Sequence, residues 1–137
     1  MAVDPGHGGR QGGFSLIEVL VSILILSFGL LGMAALQGKA AKMSADAEDR
    51  GRAALLANEI VSEMWLRHTS SLPAEVLHAW QARLTDASSS GLAAAQGTVT
   101  TDTVDGLQVA TVTIRWKSVA RRAGDPQGMY MTQVAMP

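Results

Sequence analysis

The feature that most limits the fold of this chain is an apolar run near its N-terminus. From Leu16 to Leu36 the sequence is LIEVLVSILILSFGLLGMAAL, and Glu18 is its one charged residue. At ~1.5 Å of rise per residue, a helix over this run is roughly 31 Å long, close to the hydrocarbon thickness of a bilayer. A chain of 137 residues is too small to surround such a helix with its own core. The run therefore predicts a membrane-spanning helix.

A cleaved secretory signal is the main alternative for an apolar segment at this place. Its apolar stretch is typically ~7–15 residues long, follows a basic start and precedes a small-residue cleavage site. The run here is longer, and the residues before it contain Asp4 and only one full positive charge, Arg10. A membrane anchor is therefore favoured. Lys39 and Lys42 follow the run, so positive charge alone leaves its orientation open.

Glu18 is the unusual residue of the apolar run. A carboxylate costs about 2.5–3.5 kcal/mol at the bilayer centre and less near its edge, so such a group usually has a partner. Cleavage before Phe14 would create a new amine four residues ahead of Glu18. The amine of one subunit could then neutralise Glu18 of a neighbour and set the stagger between their helices. The alternative is a carboxylate that reaches the membrane interface and has no further role.

The residues around Phe14 resemble the processing site of type IV pilins and the related pseudopilins. Gly13-Phe14-Ser15-Leu16-Ile17-Glu18 leads directly into the apolar run. The resemblance implies a leader at residues 1–13, cleavage after Gly13 by a prepilin peptidase, and methylation of the new N-terminal Phe14. It also implies that Glu18 sets the assembly register. The leader is less basic than the family pattern.

A second stretch resembles minor pilins of the PilV type, also called type IV pilus modification proteins. Residues 27–37 are SFGLLGMAALQ, and residues 53–64 resemble a later helical stretch of the same group. Major pilins often have a kinking proline in the anchor, whereas this chain has Gly29 and Gly32. We predict these glycines to be flexible points of the helix, because glycine costs about 1 kcal/mol against alanine in a helix interior. A small-residue contact between helices is an equally weighted alternative.

The helical pattern continues beyond the membrane run. Residues 37–68 contain no proline, and we predict one helix from Phe14 to Arg67. Its predicted apolar stripe consists of Leu36, Ala40, Met43, Ala47, Ala54, Val61 and Trp65. The charged cluster at residues 46–52 is expected to be a solvated helix face, with contacts to adjacent subunits as the alternative.

The remaining residues predict a short helix and then strands. Ser71 and Pro73 suit the start of a helix from Pro73 to Leu84, and a serine-rich loop is predicted at residues 86–91. The predicted strands are Gly97–Val104, Leu107–Lys117 and Met129–Met136, with a turn at Asp105-Gly106 and a loop at Ala120–Gly128. Alternation of apolar and polar residues in the second strand indicates one buried face.

The predicted fold class is therefore α+β. The resemblance makes it type IV pilin-like, with a long N-terminal helix packed against a small antiparallel sheet. We predict a leader (1–13), a transmembrane or filament-core helix (14–36), its amphipathic continuation (37–68) and a small head (69–137).

A search for catalytic or cofactor chemistry yields no strong candidate. The absence of cysteine excludes thiol catalysis, disulfides and cysteine-ligated zinc. His68 and His78 lack a third ligand at metal spacing and are expected to be surface or capping residues. Glu59 and Glu63 share a helix face and are expected to face solvent. We therefore predict that the protein is not an enzyme and has no cofactor or metal.

Two further groups have structural and functional interpretations. The tryptophans are predicted core anchors of the head, with a contact to a partner as the lesser alternative: Trp65, Trp80 and Trp116. The basic residues are a weak candidate for contacts to DNA phosphates: Arg115, Lys117, Arg121 and Arg122. Basic and acidic residues are equal in number from Gln37 onward, so nucleic acid is not the expected partner.

The resemblance implies a minor pilin that helps to start assembly and affects piliation, adhesion and twitching motility. Its implied partners are the prepilin peptidase, other minor and major pilins, the inner-membrane assembly platform and a tip adhesin. The implied location is the bacterial inner membrane, with one span and a periplasmic head, and the pilus after assembly. A minor pseudopilin of a type II secretion system and a DNA-uptake pilin are the alternatives.

Overall fold

The computed structural model describes Gly13, residues 15–118, Gly124 and residues 126–136. These residues form three helices and three strands: α1 (Leu16–Arg67), α2 (Ala74–Thr85), α3 (Ala87–Ser90), β1 (Gln96–Val104), β2 (Leu107–Trp116) and β3 (Gly128–Met136). The chain divides into two compact units, Met1–Lys39 and Ala40–Pro137. The long helix and the small antiparallel sheet confirm the predicted α+β, pilin-like fold class.

The strands of the second unit form an antiparallel meander in the order β1-β2-β3. The predicted turn joins β1 to β2: Val104 pairs with Leu107, and Asp105 and Gly106 both have positive φ. Two central residues with positive φ are typical of a type I′ hairpin turn, whose twist matches that of the strands.

One face of the sheet is buried, as the alternation in β2 predicts. Ala110, Val112, Ile114 and Trp116 are buried, whereas Arg115 between them is exposed. In a strand, successive side chains point to opposite faces, so this pattern places one face of the sheet towards the core. The other buried apolar residues of the core are Ala53, Ala57, Ile60, Met64, Leu72, Trp80, Leu84, Leu92, Ala95, Val134 and Met136.

The buried face of α1 differs from the predicted stripe. Its buried residues are Ala53, Ala57, Ile60 and Met64. These positions follow three- and four-residue spacing, one residue before the predicted positions 54, 61 and 65. Residues 54 and 61 are half-buried and the earlier members of the stripe are exposed. The stripe prediction was therefore wrong for this unit.

The prediction that Trp65 is buried in the core was wrong. This residue is 51 % exposed, whereas Trp80 and Trp116 are 1 % and 2 % exposed. Both buried indoles also bond to α1: Nε1 of Trp80 donates to the Leu56 carbonyl at 2.9 Å, and Nε1 of Trp116 donates to Asp49 Oδ2 at 3.2 Å. Two of the three tryptophans are therefore core anchors, and Trp65 is not.

The charged cluster of α1 does more than face solvent. Besides Asp49, Asp46 accepts a hydrogen bond from the Ser118 hydroxyl at 2.9 Å. Arg52 donates to the Gly91 carbonyl at 2.8 Å and pairs with Glu48. These contacts attach the helix to the end of β2 and to the segment before β1, so the expectation of a purely solvated face was wrong.

The segment between α1 and β1 differs from its prediction in two details. The α2 helix begins at Ala74, and the Pro73 carbonyl accepts the Val76 and Leu77 amides; Ser71 provides no cap. Residues 86–91, predicted as a loop, contain the one-turn helix α3. Asp86 caps it by accepting from the Ser88 amide, and Gly91 ends it with a left-handed φ.

Candidate processing and assembly site

The candidate cleavage point lies just before α1. Gly13 is exposed and is not part of the helix, which begins at Leu16. The Ser15 carbonyl accepts the amides of Glu18 at 2.9 Å and Val19 at 3.3 Å, which closes the first turn. A peptidase needs accessible backbone outside regular structure, and Gly13 has it. Phe14 lies outside the described residues.

Glu18 occupies the first turn of α1 and is exposed. A negative side chain is favourable there because the first amides of a helix carry partial positive charge. The described residues include no ion-pair partner for its carboxylate. Glu18, Val19, Ser22, Ile23 and Leu26 line a shallow groove along one side of the helix. The described residues therefore do not test the role of Glu18 in register, which stays a prediction.

The apolar run presents its side chains outward all around the helix. The large apolar residues from Leu16 to Leu36 are 44–80 % exposed. Among the described residues, α1 is the one helix long and apolar enough to cross a membrane, and none of its apolar window is buried. Ser27, a polar residue of the run, donates its hydroxyl to the Ile23 carbonyl at 2.8 Å. Exposure of this apolar surface to water is energetically unfavourable.

The two glycines of the run lie within continuous helix. A Cβ added to Gly29 or Gly32 would meet no atom within 4 Å. No contact inside the chain therefore requires glycine at either position. Their predicted roles, as flexible points or as helix-contact residues, remain predictions about assembly.

The basic residues form no complete site in the part of the chain that is described. Arg115 lies near the end of β2 and Lys117 just after it, and both are exposed. Arg121 and Arg122 lie outside the described residues. The structure therefore locates two of the four residues predicted as weak candidates for contacts to DNA phosphates, and it does not show whether the four form one surface.

The histidines and glutamates of the second unit have structural environments. His68 has a left-handed φ and ends α1: its amide bonds to the Trp65 carbonyl and that of Thr69 bonds to the Met64 carbonyl. This is the Schellman pattern, with histidine at the usual glycine position. Glu59 pairs with Arg83, and Glu63 Oε1 lies 2.6 Å from Arg67 Nε. Exposed pairs of this kind contribute only ~0–1 kcal/mol.

A groove lies between α1 and α2 in the second unit. Its floor is apolar and its rim carries charged side chains; the lining residues are Glu59, Ile60, Glu63, Glu75, Val76, Ala79, Trp80 and Arg83. Within the described residues, no three histidine or acidic side chains are placed to hold a metal ion. The groove has no catalytic arrangement that we can identify.

The contacts of Asp46, Asp49 and Arg52 were missed by the sequence analysis. Each joins α1 to a segment at least 39 positions away in sequence, and a local charge pattern contains no signal for such distant partners. The capping role of Asp86 could have been found, because Asp before a short polar stretch that ends in Gly is a helix start-and-stop pattern.

Comparison with known proteins identifies the N-terminal segment. The sequence model of the family described as the prokaryotic N-terminal methylation motif matches residues 8–34. The matched span contains Gly13, Phe14, Glu18, Gly29 and Gly32. No curated protein and no solved structure matches the chain. The match confirms the resemblance of this segment to type IV pilins.

Proposed function

We propose that this type IV pilin-like protein of the prepilin type is a minor pilin of a type IV pilus. The observation that carries the proposal is the methylation motif at residues 8–34, which overlaps the part of α1 whose large apolar side chains, from Leu16 to Leu36, are all exposed. The role is structural and not catalytic. The protein is held in the inner membrane by one span, with its head in the periplasm, until it joins the filament.

The proposed mechanism uses two properties of α1. Its apolar surface is stable in lipid and equally stable against similar helices, so transfer from membrane to filament keeps apolar groups away from water. Cleavage between Gly13 and Phe14 by the prepilin peptidase creates a new N-terminal amine. This amine can pair with Glu18 of a neighbouring subunit, whose carboxylate has no ion-pair partner among the described residues. The resulting ion pair would neutralise two charges within an apolar environment and fix the stagger of the helices. Other minor and major pilins, the assembly platform and a tip adhesin are the proposed partners.

The cut site is tested by a matched pair of glycine variants. Gly13→Ala should keep the leader attached, because the peptidase acts after this glycine, and should exclude the protein from fibres. Gly12→Ala changes a neighbouring leader glycine in the same way and should be processed normally. The measurement is mass spectrometry of the mature N-terminus, which reports both cleavage and methylation of Phe14. Normal processing of the Gly13 variant would refute the assigned site.

The role of Glu18 is tested by removing its charge without changing its shape. Glu18→Gln should insert into the membrane and be cleaved normally, but should be depleted from sheared filaments. Glu18→Asp retains the charge and should restore part of the incorporation. Equal recovery of the Gln variant and the unchanged protein in the filament fraction would count against the ion pair.

The same fractionation distinguishes a pilus from a secretion pseudopilus. A minor pilin should be recovered with surface fibres removed by shearing, and its loss should reduce fibre number. Retention of the cleaved protein in the cell envelope, with normal fibres and impaired protein secretion in its absence, would assign it to a type II secretion system instead.

A further inference from the structure

The two edges of the sheet are protected to very different degrees. The β1 edge is partly covered, because Gln81 of α2 donates to the Gly97 carbonyl at 3.4 Å. The Lys117 amide, just beyond β2, donates to the Ala93 carbonyl at 2.8 Å, which continues the pairing of β2 with the chain before β1 and does not cover the outer edge of β1. The β3 edge has no such cover from the described residues. An uncovered strand edge is a template for pairing with another chain.

The hairpin geometry identifies which backbone groups of β3 face outward. In a two-residue hairpin the flanking pair, here Val104 and Leu107, exchanges both backbone hydrogen bonds. Because the bonding direction alternates along a strand, odd-numbered residues of β2 bond to β1 and even-numbered residues bond to β3. The contacts of Gly97 and Lys117 agree with this alternation. The β3 residues with outward N–H and C=O groups are Met129, Met131, Gln133 and Ala135.

Within the part of the chain that the structure describes, these outward groups lack every usual form of edge protection. The strand is nine residues long, GMYMTQVAM, and contains no charge and no proline. Its pairing with β2 is one-to-one from Gly128 to Met136 without a bulge. Natural edge strands are normally short, bulged, charged or covered. By contrast, β1 carries Asp102 on its own edge.

We propose that β3 is a self-association surface, on which the β3 strand of a second copy of this chain pairs in antiparallel orientation about a two-fold axis at Thr132. This register places Met131 opposite Gln133 and Met129 opposite Ala135. All four outward residues of each copy are then hydrogen-bonded across the seam, and the two three-stranded sheets become one. The contact is isologous, so each copy contributes the same surface.

The chemistry of the strand favours a second copy as the occupant. Because β3 has no charged residue, antiparallel pairing with itself brings no like charges opposite each other, which would be destabilising. Met129 and Met131 are 51 % and 57 % exposed and would gain apolar contact on the outer face. A short strand pair is marginal in water, so the contact is expected where membrane anchoring raises the effective concentration of both copies. The inference goes beyond the minor pilin proposal and holds equally for a pseudopilin.

Cysteine cross-linking of the full chain in its membrane tests the pairing, since the protein has no cysteine of its own. Thr132 meets its own counterpart as a non-hydrogen-bonded pair, with Cα atoms about 4.5 Å apart, within the range of a disulfide. Thr132→Cys should therefore form a disulfide-linked homodimer on mild oxidation. Thr98→Cys, an exposed threonine of β1, is the matched control and should cross-link several-fold more slowly.

A second variant tests whether the edge itself makes the contact. Gln133→Pro removes an outward N–H and leaves the ladder with β2 intact, because proline is tolerated on an edge strand. Added to Thr132→Cys, it should abolish the cross-link while the yield in the membrane and the tryptophan emission stay unchanged.

Three results would overturn the proposal. The first is a Thr132 cross-link no faster than that of Thr98, and the second is a cross-link that survives Gln133→Pro. The third is a product containing another protein in place of the homodimer, which would assign the edge to that partner.

Discussion

The two units of this protein use the same apolar residue types in opposite ways. In Met1–Lys39 the large apolar side chains of α1 from Leu16 to Leu36 point outward. In Ala40–Pro137 most large apolar side chains belong to the core between α1, α2 and the sheet or pack against it. Leu24 is 57 % exposed and Leu84 is fully buried. The first unit exposes its large apolar side chains, and the second unit forms a core with its own.

The difference shows that burial in a single chain cannot be judged from hydrophobicity alone. A continuous apolar run leaves no polar face for water, so such a helix is favoured by apolar surroundings. An alternating or three-to-four spacing leaves one polar face and permits a core in water. Leucine therefore contributes to a buried core in one unit and to an exposed apolar surface in the other.

The largest expected effect comes from truncating a leucine in each unit. Leu84→Ala should lower the free energy of unfolding of the second unit by about 2–5 kcal/mol, because it removes buried contacts and leaves a cavity. Leu24→Ala, the matched control, should leave that free energy unchanged. Denaturant titration of the full chain in detergent, followed by tryptophan emission, measures both. Equal destabilisation by the two variants would contradict the difference in burial between the two units.

A charge should affect the first unit and not the second when it is placed at an exposed leucine of each. Leu24→Arg should cost about 2.5–3.5 kcal/mol in membrane insertion, since a charged side chain near the bilayer centre is poorly solvated. Leu55→Arg, at an exposed position of the second unit, should insert normally. Membrane fractionation of the two variants is the measurement, and normal insertion of the Leu24 variant would argue against a membrane span.

Two glycine substitutions compare a tightly packed position of the second unit with an open one. A Cβ at Gly128 would overlap the Trp116 indole, whereas one at Gly51 would meet nothing within 4 Å. Gly128→Ala should therefore destabilise the second unit by about 1–3 kcal/mol. Gly51→Ala, in the middle of α1, should stabilise it by roughly 0.5–1 kcal/mol. Thermal unfolding of both variants tests the pair, and opposite shifts of the melting temperature are expected.

The smallest expected effect is local and depends on pH. Hydrogen bonds from the hydroxyl of Ser88, and then from that of Ser89, lower the pKa of Asp86 below its ordinary value of 3.8. A carboxyl whose pKa is lowered by folding stabilises the folded state above 3.8 and loses that contribution as pH falls through the folded value. The amide resonance of Ser88 should therefore shift with a midpoint below pH 3.8. Asp86→Asn keeps an acceptor but does not titrate, so the shift should vanish; a midpoint at or above 3.8 would contradict the capping role.

Regular local patterns were predictable from the sequence. The alternation in β2 and the Asp105-Gly106 turn each depend on neighbouring residues, and the structure confirms both. The exposed apolar part of α1 was predictable for the same reason, because the apolar run is continuous in the sequence. The N-terminal motif was recognisable because its glycine, phenylalanine and glutamate lie within six consecutive positions.

Long-range choices were not predictable. Trp65 and Met64 are both apolar and adjacent, and only the position of the sheet decides that Met64 is buried and Trp65 is not. Likewise, nothing near Asp49 indicates that its carboxylate will accept from an indole 67 positions later. The missed helix α3 is different, because its cap residues were present in the sequence and their pattern was given too little weight.

The three tryptophans make the protein its own optical reporter. Trp80 and Trp116 are enclosed with their N–H groups bonded to α1, while half of the Trp65 surface meets solvent. A water-soluble quencher should therefore reach Trp65 alone in the free subunit and all three after unfolding. If a neighbouring molecule covers the end of α1 during assembly, the loss of quenching at Trp65 would record that event without any attached label.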